Sequence, residues 1–159
     1  MITFRNLEEK DIPYILEWNE PSRTFLKQWS DFSYPLTARQ FKMRMASEQY
    51  CVVAIEQNGR LIGTIQLYRE EKKSKFATVG CYLLDPKVRG NGIGTEALRK
   101  ITDYAFRSFG FAKIGLGVYD YNISAIKCYL NAGFVKIGEY RHPFGWTGYR
   151  MERTNYIER

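Results

Sequence analysis

The segment "DPKVRGNGIGTEALRK", Asp85 to Lys100, places three glycines within five residues, directly after an apolar run and directly before a helical pattern. Amides at the start of a helix are unpaired donors at the positive end of its dipole, and glycines let an anion approach them without a Cβ in the way. The expected guest is a phosphate group. Whose phosphate it is decides both fold and function.

Working outward, the loop follows a β-rich run, Phe76 to Leu84, in which Gly80 predicts a bulge. Upstream, Tyr50 to Glu56 and Arg60 to Tyr68 are strand-like runs joined by Asn58-Gly59, a strong hairpin signal. Glu70 to Lys75 reads as a solvated turn. The chain opens with a short strand, Ile2 to Arg5, then a helix from Asp11 carrying Ile12, Ile15, Leu16 and Trp18, with Pro13 in its first turn. Glu20 to Pro35 has no clean period and is rich in aromatics. Thr37 is an N-cap candidate for a second helix. Downstream, a helix from about Gly92 to Phe109 has Ala97, Ile101, Ala105 and Phe109 on one stripe. A strand (Lys113 to Tyr119), a helix (Ser124 to Asn131) and two strands (Val135 to Arg141, Trp146 to Thr154) complete the chain. Antiparallel hairpins followed by alternating strands and helices predict an α/β domain with a mixed sheet.

Bulk properties fit a single domain over 1–159. The composition is 45% hydrophobic and 26% charged. The three cysteines, Cys51, Cys81 and Cys128, show no CxxC spacing and lie in apolar patterns, so they read as reduced core residues of a cytoplasmic protein. No leader-like opening and no apolar run of bilayer length is present. The net charge of +7 favours anionic partners. Basic residues are scattered and no nucleic-acid-binding motif occurs, so neither nucleic acid nor membrane is the expected partner.

Three phosphate sites compete for the loop. A P-loop fails because no Lys-Ser or Lys-Thr follows the last glycine. Gly92, Gly94 and Ala97 satisfy a dinucleotide fingerprint, but Asp85 to Gly90 intervene after the strand, and the 65 residues beyond Gly94 are too few for two mononucleotide halves. The third reading is a resemblance. Arg89-Gly90-Asn91-Gly92-Ile93-Gly94 matches R-x-x-G-x-G, and Asn122 to Phe134, "NISAIKCYLNAGF", matches a later motif through Asn122, Ala125, Tyr129, Gly133 and Phe134. Both resemble the GNAT superfamily of N-acyltransferases, and the element order fits that fold over essentially the whole chain. The resemblance implies a mixed, mostly antiparallel sheet of about seven strands flanked by about four helices.

It also implies acetyl-CoA as cosubstrate and a primary amine as acceptor, joined by direct attack in a ternary complex. Arg89, Gly90, Asn91, Gly92, Ile93, Gly94 and Thr95 would then surround the pyrophosphate, with Arg89 or Lys87 adding charge. Pantetheine would pair with strand backbone at Tyr82, Leu83 and Leu84 as an added strand. Asn122 would cap its helix and touch the pantetheine amides. Tyr129 stands at the superfamily's general-acid position, where a phenol can protonate the departing thiolate. By spacing alone, Tyr129 reads more readily as a core residue, and only the motif match favours a catalytic role.

No base can be assigned by the same route. Phe76 to Leu84 contains no carboxylate, whereas histone-type relatives carry a glutamate there. Glu17, Glu20, Asp31 and His142 fall in segments the resemblance places near the acceptor cleft, though each reads more simply as a surface or loop residue. Trp29, Phe32 and Tyr34 either line that cleft or pack the helices onto the sheet. The aromatic N-terminal segment and "HPFGWTGY", His142 to Tyr149, resemble the branch that includes ribosomal-protein N-terminal acetyltransferases. A non-catalytic acyl-CoA-binding regulator is the alternative, which could dispense with Tyr129. No metal is expected, and assembly into a homodimer is compatible with these expectations.

Overall fold

A computed structural model of the chain describes residues 1–18, 37–141, 143, 145 and 147–156. Seven strands form one sheet: β1 (Ile2–Asn6), β2 (Tyr50–Gln57), β3 (Arg60–Tyr68), β4 (Phe76–Leu84), β5 (Lys113–Tyr119), β6 (Val135–Arg141) and β7 (Thr147–Thr154), in the order β1-β2-β3-β4-β5-β7-β6. Only the β4–β5 pair is parallel. Among the described residues four α-helices flank it: α1 (Ile12–Trp18), α2 (Ala38–Met45), α3 (Ile93–Phe109) and α4 (Ile123–Asn131).

Local chemistry sets these boundaries. Asn58 and Gly59 both take positive φ, 52° and 81°, as a two-residue hairpin turn of matching twist requires. Thr37 accepts from the Gln40 amide while Gln40 reaches back to the Thr37 amide, so α2 starts on a complete capping box. Asp11 does not begin α1. It closes a 3-10 turn, Glu9–Asp11, because its carboxylate is engaged by Arg5 and the Glu8 amide. Helix α3 ends where Gly110 turns left-handed at φ 70°.

The two sheet faces carry separate cores. Ala97, Leu98, Ile101, Ala105 and Phe106 of α3 pack on Val53, Ile55, Ile65, Leu67, Ile114, Leu116, Val118 and Met151, with Ile126 and Tyr129 of α4 against the same cluster. On the other face Ile12, Ile15 and Trp18 of α1 and Phe41 of α2 cover Val52, Ala54, Cys81 and Leu83. That second core includes nothing from β5, β6 or β7. The sheet is therefore covered on both faces through β4, and beyond it one face is open among the described residues. Cys51 and Cys81 are buried and Cys128 is half-buried, all three free. No helix among the described residues is long and apolar enough to cross a membrane.

Candidate active site

The site begins with a defect in the sheet. β4 and β5 pair only at Phe76, Ala77 and Thr78, opposite Lys113, Ile114 and Gly115. Beyond Thr78 they separate, so β4 from Val79 to Leu84 keeps β3 on one side and has no strand on the other. The cause lies in the register with β3: Gln66 faces Cys81 and Leu67 faces Val79, leaving Gly80 as the extra residue of a bulge. A bulge bends its strand and increases the local twist, which turns β4 away from β5. The result is a wedge, narrow at Thr78 and Gly115 and wide beside the glycine loop.

At the wide end, Pro86–Val88 form a 3-10 turn capped by the Asp85 carboxylate, which accepts from the Lys87 amide at 3.0 Å. Gly90 and Gly92 take φ of 87° and 76°, values that side chains tolerate poorly, and a Cβ at either would meet open space. The amides after Gly92 open α3 with no side-chain cap, which leaves them available to an anion. Gly94 is instead closely packed. A Cβ there would stand 3.2 Å from the Leu84 side chain.

Two contacts hold this loop that the spacing of glycines did not reveal. The Arg89 guanidinium donates twice to the Leu84 carbonyl, at 3.2 and 2.9 Å, bracing the loop against the end of β4. The Tyr82 hydroxyl donates to the Gly94 carbonyl at 2.6 Å. A tyrosine in a strand carries no sequence signal for such a bond. Leu83 turns its side chain into the core under α1, so only its backbone faces the wedge. Asn91 is exposed, and Ile93 and Thr95 are half-buried in the first turn of α3.

The second motif reaches the wedge from α4. Asn122 caps that helix by accepting from the Ala125 amide at 3.4 Å. Tyr129 packs its ring 6.3 Å from Phe134, and its hydroxyl takes no hydrogen-bond partner among the described residues. Burial pushes its pKa well above that of an ordinary phenol, with Cys128 and Cys81 adding to the effect. Cys81 belongs to β4, so the hydroxyl senses the strand that borders the wedge. Burial likewise raises Tyr82, with Cys128 and Tyr129 as further causes. It also raises the Cys128 thiol, partly offset by a hydrogen bond with Thr95. The fold thus brings the two motifs, 33 residues apart between Gly92 and Ala125, to one opening.

A larger cavity of about 820 Å³ lies elsewhere, between α1 and the Asp85–Lys87 turn. Its charges largely neutralise one another: Arg5 pairs with Asp11 at 2.7 Å and Glu56 at 3.3 Å, and Arg60 with Asp85 at 3.6 Å. Exposed Glu17 lines it. Glu20, Trp29, Asp31, Phe32, Tyr34 and His142 lie outside the described residues. No group of three or more potential metal ligands occurs among those described.

Comparison with known proteins agrees with this geometry. The acetyltransferase (GNAT) family model matches residues 12–134. The chain is 30% identical to the probable N-acetyltransferase YjcK of Bacillus subtilis, over 86% of this chain and 82% of that protein. It superposes on a spermidine N-acetyltransferase from Vibrio cholerae in complex with CoA and spermine with a TM-score of 0.82, at 22% identity, covering 96% of this chain and 95% of that one. With AAC(6')-Ib in complex with paromomycin and acetyl-CoA the TM-score is 0.76, at 25% identity, covering 97% and 93%.

Proposed function

The chain belongs to the GNAT family and is an acetyl-CoA-dependent N-acetyltransferase, and from that premise we propose how its own residues perform the transfer. The pyrophosphate of acetyl-CoA lies on the amides from Arg89 to Gly94, at the N-terminus of α3 with Ile93 and Thr95 beneath it. Pantetheine then runs into the wedge and pairs with the free edge of β4 at Tyr82 to Leu84, as a ligand strand. Asn122 stands at the start of α4 to meet its amides. The observation that carries this reading is the unpaired edge of β4, which begins at the bulge and ends at the glycine loop.

A cosubstrate threaded from the loop presents its thioester toward the narrow end, under Tyr129. An amine attacks the carbonyl carbon, the tetrahedral adduct collapses, and the carbon–sulfur bond breaks. Tyr129 gives its proton to the leaving sulfur, and the nitrogen, becoming an amide, sheds one proton that returns to the phenolate. Burial raises the phenol, yet the same burial raises the neighbouring Cys128 thiol. A CoA thiolate expelled there is likewise a stronger proton acceptor than in water. Acceptors follow the relatives' names, a spermidine and an aminoglycoside acetyltransferase, in being primary amines on cationic small molecules. One sheet runs through both cores, so we take the chain to act as a single domain.

Gly92→Glu tests the assignment. It places a strained side chain and a negative charge in the open space over the amides. Calorimetric titration should show acetyl-CoA affinity reduced at least a hundredfold, with circular dichroism unchanged. A folded variant that binds as the wild type does would reject the site.

A further inference from the structure

The sheet face left open beyond β4 carries a carboxylate that the proposed mechanism does not use. Ile114, Leu116 and Met151 point into the core under α3. Strand alternation therefore directs Gly115, Gly117, Arg150 and Glu152 to the opposite face, which no described helix covers. Gly115 pairs with Thr78 on one side and with Glu152 on the other. Thr78, Gly115 and Glu152 thus form one row across β4, β5 and β7, ending at the apex of the wedge. The glycine at the centre leaves room for the Phe76 ring, which lies 3.0 Å from where a Cβ would stand, between outer residues whose backbones lie ~10 Å apart, two strand spacings. A recess of about 160 Å³ occupies this place, its lining including Phe76, Thr78, Val79, Gly115, Arg150 and Glu152.

Glu152 is half-buried there and makes no ion pair or hydrogen bond with any described side chain. The cation next to it along β7, Arg150, leans over the Tyr140 ring at 5.4 Å instead of pairing with it. An unpaired carboxylate at the edge of an apolar recess costs desolvation energy that a cationic guest would recover. Tyr129 reaches the wedge from the α3 and α4 side, so this face is the approach left to a second substrate.

We propose that Glu152 holds a cationic group of the acceptor in the recess beside Gly115 and the Phe76 ring, and so determines which amines are acetylated. The proposal rests on the placement of the thioester given above. An ammonium held by a carboxylate keeps its proton more firmly, so Glu152 positions the acceptor and does not deprotonate the attacking nitrogen. Its effect belongs in KM.

Wild type, Glu152→Gln and Glu152→Asp are compared by thiol release with spermidine, kanamycin and a tripeptide bearing a free α-amine, at low and high salt. The Gln variant should raise the KM of the amine that the wild type uses best roughly tenfold or more, as loss of a charged hydrogen bond predicts. Its kcat, acetyl-CoA affinity and melting temperature should stay put, Asp should restore part of the KM, and the wild type's rise of KM with salt should disappear in the Gln variant. Unchanged KM for all three amines, or an equal salt response in wild type and Gln variant, overturns the proposal. A wild type that binds acetyl-CoA yet acetylates none of the three also overturns it, leaving the cosubstrate site intact. Failure to bind acetyl-CoA rejects both.

Discussion

For a single residue, the proposed chemistry rests on Tyr129, whose sequence context was ambiguous. It shares a helical face with Ala125 and Ala132, as a core tyrosine would. In the structure its ring does pack on the core beside Phe134. Its hydroxyl nevertheless stays without a hydrogen-bond partner among the described residues, which is uncommon for a crowded phenol and suits a group that donates only when a leaving thiolate arrives. Tyr129→Phe keeps the ring and removes only that proton. Turnover should fall roughly 10² to 10⁴-fold with acetyl-CoA affinity nearly intact. A variant turning over at the wild-type rate would return Tyr129 to a packing role, and steady-state kinetics beside calorimetry separates the two.

Among the elements, the joint between β4 and α3 sets the shape of the glycine loop, the proposed pyrophosphate site. Gly94 lies against Leu84, the Tyr82 hydroxyl holds the Gly94 carbonyl, and Arg89 holds the Leu84 carbonyl. Strand and helix are thereby fixed at a set distance, and the amides keep their direction before binding. Pre-organisation of this kind is expressed as affinity. Tyr82→Phe removes one neutral hydrogen bond and should weaken acetyl-CoA binding about three- to tenfold, with kcat changed much less. Calorimetry on the folded variant checks this. An undiminished affinity would mean that the loop holds its shape without the bond.

For the whole molecule, the N-terminal layer is anchored by one charged junction. Arg5 on β1 grips Asp11 with two hydrogen bonds, at 2.7 and 2.8 Å, while Asp11 also accepts from the Glu8 amide and Arg5 reaches Glu56 on β2. Burial alone would raise the Asp11 pKa, but the Arg5 hydrogen bond and the Glu8 amide outweigh it and hold the carboxyl below its ordinary value. A depressed carboxyl contributes stability above its unfolded pKa and loses it as pH falls through the folded one. The melting temperature should therefore drop below about pH 4. Asp11→Asn should melt lower at pH 7 and show a shallower acid slope. Parallel slopes in the two proteins, followed by thermal denaturation across pH 2 to 7, would remove Asp11 from this account.

How much could be read in advance differs by kind of information. Helix caps, the Asn58-Gly59 turn, the Gly80 bulge and both family motifs are local: each depends on dihedral preferences or spacing within a few residues, so the sequence by itself determined the elements, the fold and the cosubstrate. Tyr82 on Gly94, Arg89 on Leu84 and the isolation of Glu152 are not local. They depend on which strands meet and which part. The carboxylate proposed to hold the acceptor stands two strands from β4, on β7, and has a different role from the base that β4 lacks. Only the tertiary structure could make that choice, because the β4–β5 separation and the uncovered face arise from register and packing between segments distant in the chain, where no residue's own preference has a say.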